Sequence, residues 1–262
     1  MTSEPPPERA VEPDPSGAGI DAAALYDLLN PWDPDRYPGD RFYAGLLAGA
    51  GSVLDVGCGT GAMLHRLRAD GHRGRLVGLD PDTDALARAR RRTDVEWVEG
   101  TAADARWDGE FDLAVMTGHA FQFLVADEEI RASLAAVRAA LRPGGRFAFE
   151  TRHPQARAWQ EWNPANAADI TGVDGRPLRV WHEVDSVAGG AVAFHGTTAT
   201  PDGRVLRVDR AVLRFLELPA LNSLLAEAGY EIEAQYGDWE CGPVGAGSRE
   251  IVTVARRPAG SA

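Results

Sequence analysis

The sequence predicts an α/β protein with a parallel sheet and an inserted antiparallel β segment. Between about residues 51 and 151, short β-branched runs alternate with helical patterns rich in Ala, Arg and Leu, which is typical of βαβ units. A glycine-rich loop follows the first of these runs and opens a helix. After Thr151 the hydrophobic pattern changes to a period of two, with turn residues between the runs, which favours antiparallel strands.

Five strands and three helices are predicted in the parallel part. The helices cover 62–70, 84–92 and 127–141, and the Arg-Pro-Gly-Gly turn at 142–145 ends the third helix. The predicted strands are the runs SVLDVG, RLVGLD, VEWVEG, FDLAVM and RFAFET.

The antiparallel part is predicted to be a three-stranded meander of LRVWHEVDSV, AVAFHGTTAT and RVLRVDRAVLRF. A helix at 219–228 and the strands EIEAQYGDW and EIVTVARR close the chain. Residues 1–19 are rich in Pro, Glu and Gly with little apolar surface to bury, which predicts a disordered tail. The predicted segments are therefore the tail at 1–19, an N-terminal helical segment at 20–50, a ligand-binding core at 51–155, a linker with the β insertion at 156–217, and a closing helix and two strands at 218–262.

The charge balance favours a small-molecule partner. The chain has 39 acidic and 27 basic residues, and its formal net charge of -12 repels nucleic acid and anionic membranes. All of the basic residues are Arg, so only His, Asp, Glu, Tyr and Cys could transfer protons.

Cys58 and Cys241 lack metal-ligand spacing, so neither a metal site nor a disulfide framework is predicted. The sequence lacks an apolar run of about 18 residues and a signal peptide, which predicts a cytoplasmic protein without membrane contacts.

The glycine-rich loop predicts a nucleotide-like ligand. Asp55 ends the first strand, and the loop glycines allow the backbone to approach a ligand while the first helical N–H groups remain free. Asp80 ends the second strand, where a carboxylate can accept ribose hydroxyls. Because Gly57, Gly59 and Ala62 also satisfy the dinucleotide pattern GxGxxG/A, an NAD-dependent dehydrogenase is an alternative. Asp55 argues against it, since a carboxylate suits an ammonium better than a pyrophosphate, and so does the short-linked final strand pair.

Five segments, in this order and spacing, resemble the class I S-adenosylmethionine-dependent methyltransferases: LDVGCGTG, GLD, VEGTAADA, FDLAVM and LRPGGRFAFE. The stretches YDLLNPW and TGHAFQ look like the bacterial small-molecule subgroup, which includes many tailoring enzymes of secondary metabolism. The resemblance implies a Rossmann-like seven-stranded sheet of order 3-2-1-4-5-7-6, with strand seven antiparallel and the β-meander inserted. It also implies S-adenosylmethionine as the cofactor and the 20–50 segment as a lid over it.

Roles carried over from the resemblance place the methionine portion of the cofactor at the glycine loop, its ribose at Asp80 and its adenine after the third strand. Many relatives have Gly-Asp-Ala there, whereas this chain has Gly100-Thr101-Ala102. The Thr101 hydroxyl could still accept a hydrogen bond from adenine, and Asp104 is the alternative partner. The expected cofactor-binding residues are Tyr26, Asp55, Gly57, Cys58, Gly59, Gly61, Asp80, Pro81, Thr101, Ala102 and Thr117.

The acceptor is expected beyond the carboxyl ends of the strands. His119, after the fourth strand, is the candidate general base, because histidine titrates in the useful range. A structural role in packing that loop is equally compatible with its position, and His153 is the reserve candidate. The expected substrate-binding residues are Trp32, Gln122, Arg152 and Trp239.

The predicted activity is methyl transfer to an oxygen or nitrogen of a small metabolite. A protein of the same fold that binds the cofactor but catalyses another reaction, or regulates a partner, is the first alternative, and the dehydrogenase is the second. The β-meander could cap the active site, extend the sheet or form a homodimer interface, and its sequence does not decide between them.

Overall fold

A computed structural model describes residues 20–259 of the chain, so the predicted tail at 1–19 lies outside the described residues. Two sheets and six α-helices form the structure over this range. The strands are β1 Ser52–Val56, β2 Arg75–Asp80, β3 Glu96–Glu99, β4 Phe111–Met116, β5 Leu141–Arg152, β6 Ala168–Thr171, β7 Pro177–Ala188, β8 Ala191–Ala199, β9 Val205–Arg214, β10 Glu231–Tyr236 and β11 Glu250–Arg256.

The larger sheet has the order β3-β2-β1-β4-β5-β11-β10. Strands β1 to β5 pair in parallel, whereas β11 is antiparallel to both of its neighbours. This arrangement confirms the expected 3-2-1-4-5-7-6 order, with β10 and β11 as the sixth and seventh strands. Because β11 is antiparallel, it begins at the edge where β4 and β5 end.

The helices lie close to their predicted positions: α1 Ala22–Leu29, α2 Pro38–Leu47, α3 Ala62–Ala69, α4 Thr83–Ala89, α5 Asp127–Ala140 and α6 Leu218–Glu227. Aspartates begin two of them, since Asp21 accepts the Ala24 N–H of α1 and Asp82 accepts N–H groups of the first turn of α4. Pro38 begins α2, because proline is well suited to the first turn of a helix.

Alternate residues of the central strands pack into two cores, one on each face of the sheet. Leu54 and Val56 of β1 belong to the core that contains residues of α5 and α6. Val53 belongs to the core that contains residues of α2 and α3. Both faces of β1 are therefore buried, as expected for a central parallel strand covered by helices.

Strand β5 begins five residues earlier than predicted. The segment 142–145 ends α5 at Ala140, as the turn signal indicates, but it continues directly into the sheet. Gly144 N–H donates to Arg257 O and Arg257 N–H donates to Gly145 O, each at 2.8 Å, so pairing with the chain after β11 holds this segment extended. A register shift in the β4–β5 pairing accommodates the extra residues.

The smaller sheet has the order β6-β7-β8-β9 and is antiparallel throughout. It contains the three predicted strands and a short additional one, β6. Gln122, which follows β4, connects it to the core by donating a hydrogen bond to Arg214 O at 2.9 Å. No helix within the described range 20–259 is long and apolar enough to cross a membrane.

Candidate active site

The loop between β1 and α3 leaves an open space at Gly59. Gly59 has a φ of +53°, and a Cβ added there would meet only Tyr26, at 3.8 Å. Gly61 differs, because a Cβ there would lie 2.3 Å from the Trp97 ring. Packing therefore requires glycine at position 61, whereas the empty space beside Gly59 is available to a ligand.

The Asp80 carboxylate joins the end of β2 to this loop. One oxygen accepts the Gly59 N–H at 2.7 Å and the other accepts the Asp82 N–H at 2.8 Å. A carboxylate oxygen can accept more than one hydrogen bond, and ribose hydroxyls are suitable donors. The side chain is 7% exposed, and its orientation is set by the backbone at both oxygens.

Asp55 is a buried carboxylate that lacks a full set of hydrogen-bond partners. It is 2% exposed, and its Oδ1 has no hydrogen-bond partner among residues 20–259. Burial, and then the charge of Asp80, raise the pKa of Asp55 to about 8. A cationic group placed beside Asp55 would provide the missing interaction and favour its ionised form.

Helix α1 lies over the glycine loop. Asp27 accepts hydrogen bonds from the Thr60 hydroxyl and, at 2.7 Å, from Arg88 Nε, so it links α1 to both the loop and α4. The Tyr26 hydroxyl lies 3.7 Å from the position of a Cβ added at Gly118, in the loop after β4. Tyr26 therefore extends across the opening between the two loops.

The expected adenine-binding residues form a local turn after β3. The Thr101 N–H and hydroxyl both donate to Asp104, at 2.9 and 2.7 Å. These hydrogen bonds lower the pKa of Asp104. The Thr101 oxygen keeps lone pairs that can accept a further hydrogen bond, as the sequence-based expectation requires. Ala102 is buried against the core that contains α5 and α6.

The other expected cofactor residues surround the two loops. Cys58 lies under the glycine loop, where a Cβ added at Gly78 would come within 2.7 Å of its sulfur, and burial raises the pKa of its thiol. Pro81 is exposed directly after β2, and Thr117 is half-buried directly after β4. A Cβ added at Gly57 would lie 3.0 Å from the Ala120 side chain, which shows how closely the two loops approach.

His119 is held by two carboxylates from neighbouring strands. Its backbone has a φ of +62°, a left-handed conformation that is uncommon outside glycine. Its N–H donates to Glu150 at the end of β5, at 2.7 Å, and its Nε2 lies 2.9 Å from Glu250 Oε2 at the start of β11.

The Glu150 carboxylate is buried and accepts a second hydrogen bond from the Tyr43 hydroxyl of α2. Burial is the main reason that the pKa of Glu150 is raised, and burial beside Glu150 also raises the pKa of Tyr43. The sequence analysis missed Glu150, Glu250 and Tyr43. The signal for Glu250 was present, because an antiparallel last strand begins at the edge where the ligand is expected.

Gln122 and Arg152 form a second polar group beside His119. Gln122 is fully buried, and its Oε1 accepts the backbone N–H and the Nη1–H of Arg152, at 3.2 and 3.1 Å. The Arg152 guanidinium lies 5.5 Å from the ring centre of Trp162, and burial lowers the pKa of Arg152. Two expected substrate residues therefore contact each other and reach the segment that leads into the smaller sheet.

The remaining expected residues lie among structural neighbours. His153 is buried, and its Nδ1 accepts the Gln155 N–H at 3.2 Å, which caps a turn. Trp32 and Trp239 pack against the core that contains α2, where the Trp239 ring is 5.9 Å from Tyr43. Within 20–259, no three His, Cys, Asp or Glu side chains are placed to hold a metal ion.

Comparisons with known proteins agree with this fold. Residues 53–145 match the family model described as a methyltransferase domain. The chain is 34% identical over 152 residues to a cypemycin N-terminal methyltransferase of Streptomyces sp., a match that covers 54% of this chain and 58% of that protein. It thus spans less than two thirds of that relative.

Two further proteins align over more of the chain. A dTDP-3-amino-3,4,6-trideoxy-alpha-D-glucopyranose N,N-dimethyltransferase of Streptomyces venezuelae is 29% identical over 207 residues, which cover 76% of this chain and 81% of that protein. The solved structure of CalS10 with bound S-adenosylmethionine, an amino pentose methyltransferase from Micromonospora echinaspora, superposes with a TM-score of 0.64. Its sequence identity is 23%, and the match covers 85% of this chain and 92% of CalS10.

Proposed function

We propose that this chain, which is a class I S-adenosylmethionine-dependent methyltransferase by its domain and fold, transfers a methyl group to a nitrogen or oxygen of a small molecule. The observation that carries the proposal is the open space at Gly59, whose N–H donates to the buried carboxylate of Asp80, together with a second buried carboxylate, Asp55, near the end of β1. A ligand with a cationic amino group and a ribose suits this pair of acidic groups.

The residues present are compatible with the cofactor. Asp55, whose Oδ1 lacks a partner among the described residues, would bind the ammonium of the methionine portion. Asp80 would accept the ribose hydroxyls, and Thr101 and Ala102 would contact the adenine. Tyr26 would cover the bound cofactor, since it already spans the two loops that surround the space.

When bound, S-adenosylmethionine supplies a methyl group that its sulfonium has already activated, so the protein mainly has to align the acceptor and exclude water. His119 is the proposed general base for an acceptor that arrives protonated. It belongs to the loop that approaches Gly57, so it lies near the glycine loop at the carboxyl ends of the strands. Gln122, Arg152, Trp32 and Trp239 remain the proposed acceptor-binding residues, with His153 the reserve base.

The relatives support a nitrogen acceptor more than an oxygen acceptor. The names of two of them specify an N-terminal methyltransferase and an N,N-dimethyltransferase. The acidic groups on the proposed acceptor side agree with this, since the carboxylates of Glu150 and Glu250 both contact His119 and suit a cationic amine. We therefore propose a small amine as the first class of acceptor to test.

Two measurements test the proposal. S-adenosylmethionine and S-adenosylhomocysteine should each raise the Tm of the protein, whereas NAD should not, because only a ligand that binds the folded state stabilises it. The protein should then add one methyl group, detected by mass spectrometry, to members of a panel of small amines and phenols. Stabilisation by NAD alone would favour a dehydrogenase. Binding of S-adenosylhomocysteine without methylation of any panel member would favour a reaction other than methyl transfer.

A further inference from the structure

Both the ring and the backbone of His119 are held in place, although His119 lies in a loop at the edge of a sheet. Its side chain is 20% exposed and that of Glu250 is 18% exposed, so their contact is largely shielded from water. The backbone is held separately, because Glu150 accepts the His119 N–H in a left-handed conformation. A residue in this sparsely populated region persists only where the surroundings specify it, and such residues are concentrated at functional sites.

Two distant parts of the chain converge on His119, one at its backbone N–H and one at its ring. Glu150 is 31 residues from His119 in sequence and Glu250 is 131 residues from it. Glu250 pairs with Arg152 across the β5–β11 ladder, which places both side chains on one face of the sheet. The charged and titratable groups around His119 are thus Glu150, Glu250, Tyr43, which donates to Glu150, and Arg152.

We propose that Glu250 is a positioning residue that sets the tautomer of His119 for proton transfer, an inference that rests on the proposed methyltransferase function. A carboxylate only accepts hydrogen bonds, so Glu250 requires the proton of a neutral His119 ring to be on Nε2. The unprotonated nitrogen is then Nδ1. A second group that fixes one ring nitrogen in this way determines which nitrogen is basic.

The proton balance follows from this tautomer. When the acceptor nitrogen or oxygen bonds to the methyl carbon and the carbon–sulfur bond breaks, the acceptor loses its proton to His119 Nδ1. The ring then carries a proton on each nitrogen and one positive charge, which the Glu250 carboxylate stabilises at 2.9 Å. Without Glu250, the neutral ring would divide between two tautomers and the cation would lose its counter-charge.

The first test is the tautomer itself, which can be measured without any acceptor. In protein labelled with ¹⁵N-histidine, the ring nitrogen shifts of His119 should report the Nε2–H form at pH 8, with His119→Asn used to assign the signals. In Glu250→Ala the shifts should move towards a mixture of both tautomers. A wild-type ring that is Nδ1–H, or one that is unchanged in Glu250→Ala, would refute the proposal.

The second test is kinetic. With whichever panel acceptor is methylated, Glu250→Gln should lower kcat about 10–100-fold, the usual effect of removing a partner that orients a reactive group. The KM for S-adenosylmethionine should stay within about threefold of the wild-type value, since such a loss affects the chemical step rather than binding.

A matched control separates this role from a general effect of charge. Glu231 begins the neighbouring strand β10, is exposed and pairs with Arg256 at 2.7 Å. Glu231→Gln removes one carboxylate at the opposite end of β11, away from His119, and it should leave both the tautomer and kcat unchanged. Equal loss of kcat in the two variants would contradict positioning by Glu250. The tautomer result stands even if no acceptor is methylated, so failure of this inference and failure of the proposed function can be told apart.

Discussion

The cofactor side and the acceptor side of the candidate site are built from different kinds of contact. The cofactor side consists of the loop at 55–61 with Asp80, and its main link, from Gly59 N–H to Asp80, joins residues 21 apart in sequence. The acceptor side consists of His119, Gln122, Glu150, Arg152 and Glu250, and the His119–Glu250 contact joins residues 131 apart. One side is therefore specified by a local backbone motif and the other by the assembled sheet.

This difference implies that the two sides can be disabled separately. The cofactor side positions backbone N–H groups and two carboxylates around an open space, so its substitutions should affect binding. The acceptor side positions a ring through charged neighbours, so its substitutions should affect the rate of the chemical step. If each substitution changed both quantities, the division into two sides would be wrong.

The largest effect is expected from His119→Asn. Loss of a positioned base should lower kcat about 10²–10⁴-fold, while the Kd for S-adenosylhomocysteine stays the same. Asn is a suitable replacement, because it tolerates the left-handed conformation that position 119 requires. Near-normal turnover in His119→Asn would mean that His119 only packs the loop.

The reverse pattern is expected from Gly59→Val, measured by calorimetry. The added side chain would occupy the open space beside Tyr26, so the Kd for S-adenosylhomocysteine should rise about 100-fold or more, equivalent to roughly 2.7 kcal/mol. Gly109→Val is the matched control. Gly109 also has a positive φ, of +64°, and an added Cβ meets nothing within 4 Å. Its backbone strain is therefore comparable, and a similar loss of affinity in the control would show that strain is responsible.

Asp55 provides a test of the cofactor side through pH. Its pKa is raised to about 8, above the ordinary aspartate value of 3.8, so the folded protein holds a proton that the unfolded chain releases in this interval. The free energy of unfolding should therefore fall as the pH rises from about 4 to 8, by up to about 1.4 kcal/mol per pH unit for this group. Asp55→Asn should remove that slope in thermal or urea unfolding.

The same proton should be released when the cofactor binds. Near pH 7 Asp55 is mostly protonated in the free protein, and an ammonium placed beside it favours the carboxylate. Calorimetry with S-adenosylhomocysteine in buffers of different ionisation enthalpy should report release of close to one proton, and the exposed control Asp35→Asn should behave as the wild type. Binding without proton release would place the ammonium elsewhere.

The sequence signals for the proposed cofactor side are local. A glycine loop between an apolar strand and a helix, with Asp80 at the end of the next strand, can be recognised from neighbouring residues alone. The order of the sheet followed from the resemblance, and the structure confirms it. The early start of β5 could not be predicted, since the turn signal at 142–145 does not show that the chain after β11 pairs with it.

Only some residues of the proposed acceptor side could be named from the sequence, because the contacts that fix them join distant parts of the chain. His119, Gln122 and Arg152 could be named because they directly follow strands. The partners that fix them come from α2 and β11, and the sequence gives no register for the β5–β11 pair that brings Glu250 beside His119. To expect an acidic residue beside the ligand at the start of the last strand, the direction of that strand has to be considered together with the position of the site. The prediction did not include this combination.

The smallest effect is expected where the cofactor side meets its covering helix, in Asp27→Asn. Asp27 contacts Thr60 of the loop and Arg88 of α4, so its carboxylate helps to hold α1 and Tyr26 over the site. Asn can still accept the Thr60 hydrogen bond but loses its charge toward Arg88. A half-exposed ion pair contributes about 0.5–1 kcal/mol, so the Kd for S-adenosylhomocysteine should rise about two- to fivefold, mainly through faster dissociation.

Asp21→Asn is the control for that prediction, because Asp21 lies at the start of the same helix and approaches the same arginine at 3.4 Å. Asn caps a helix about as well as Asp, so this variant keeps α1 intact and removes only the longer contact to Arg88. Surface plasmon resonance should therefore show faster dissociation in Asp27→Asn than in Asp21→Asn, with kcat close to the wild-type value in both at saturating cofactor. Equal dissociation rates would mean that Asp27 does not hold α1 over the cofactor. The proposed cofactor side would then consist of the glycine loop and Asp80 without α1.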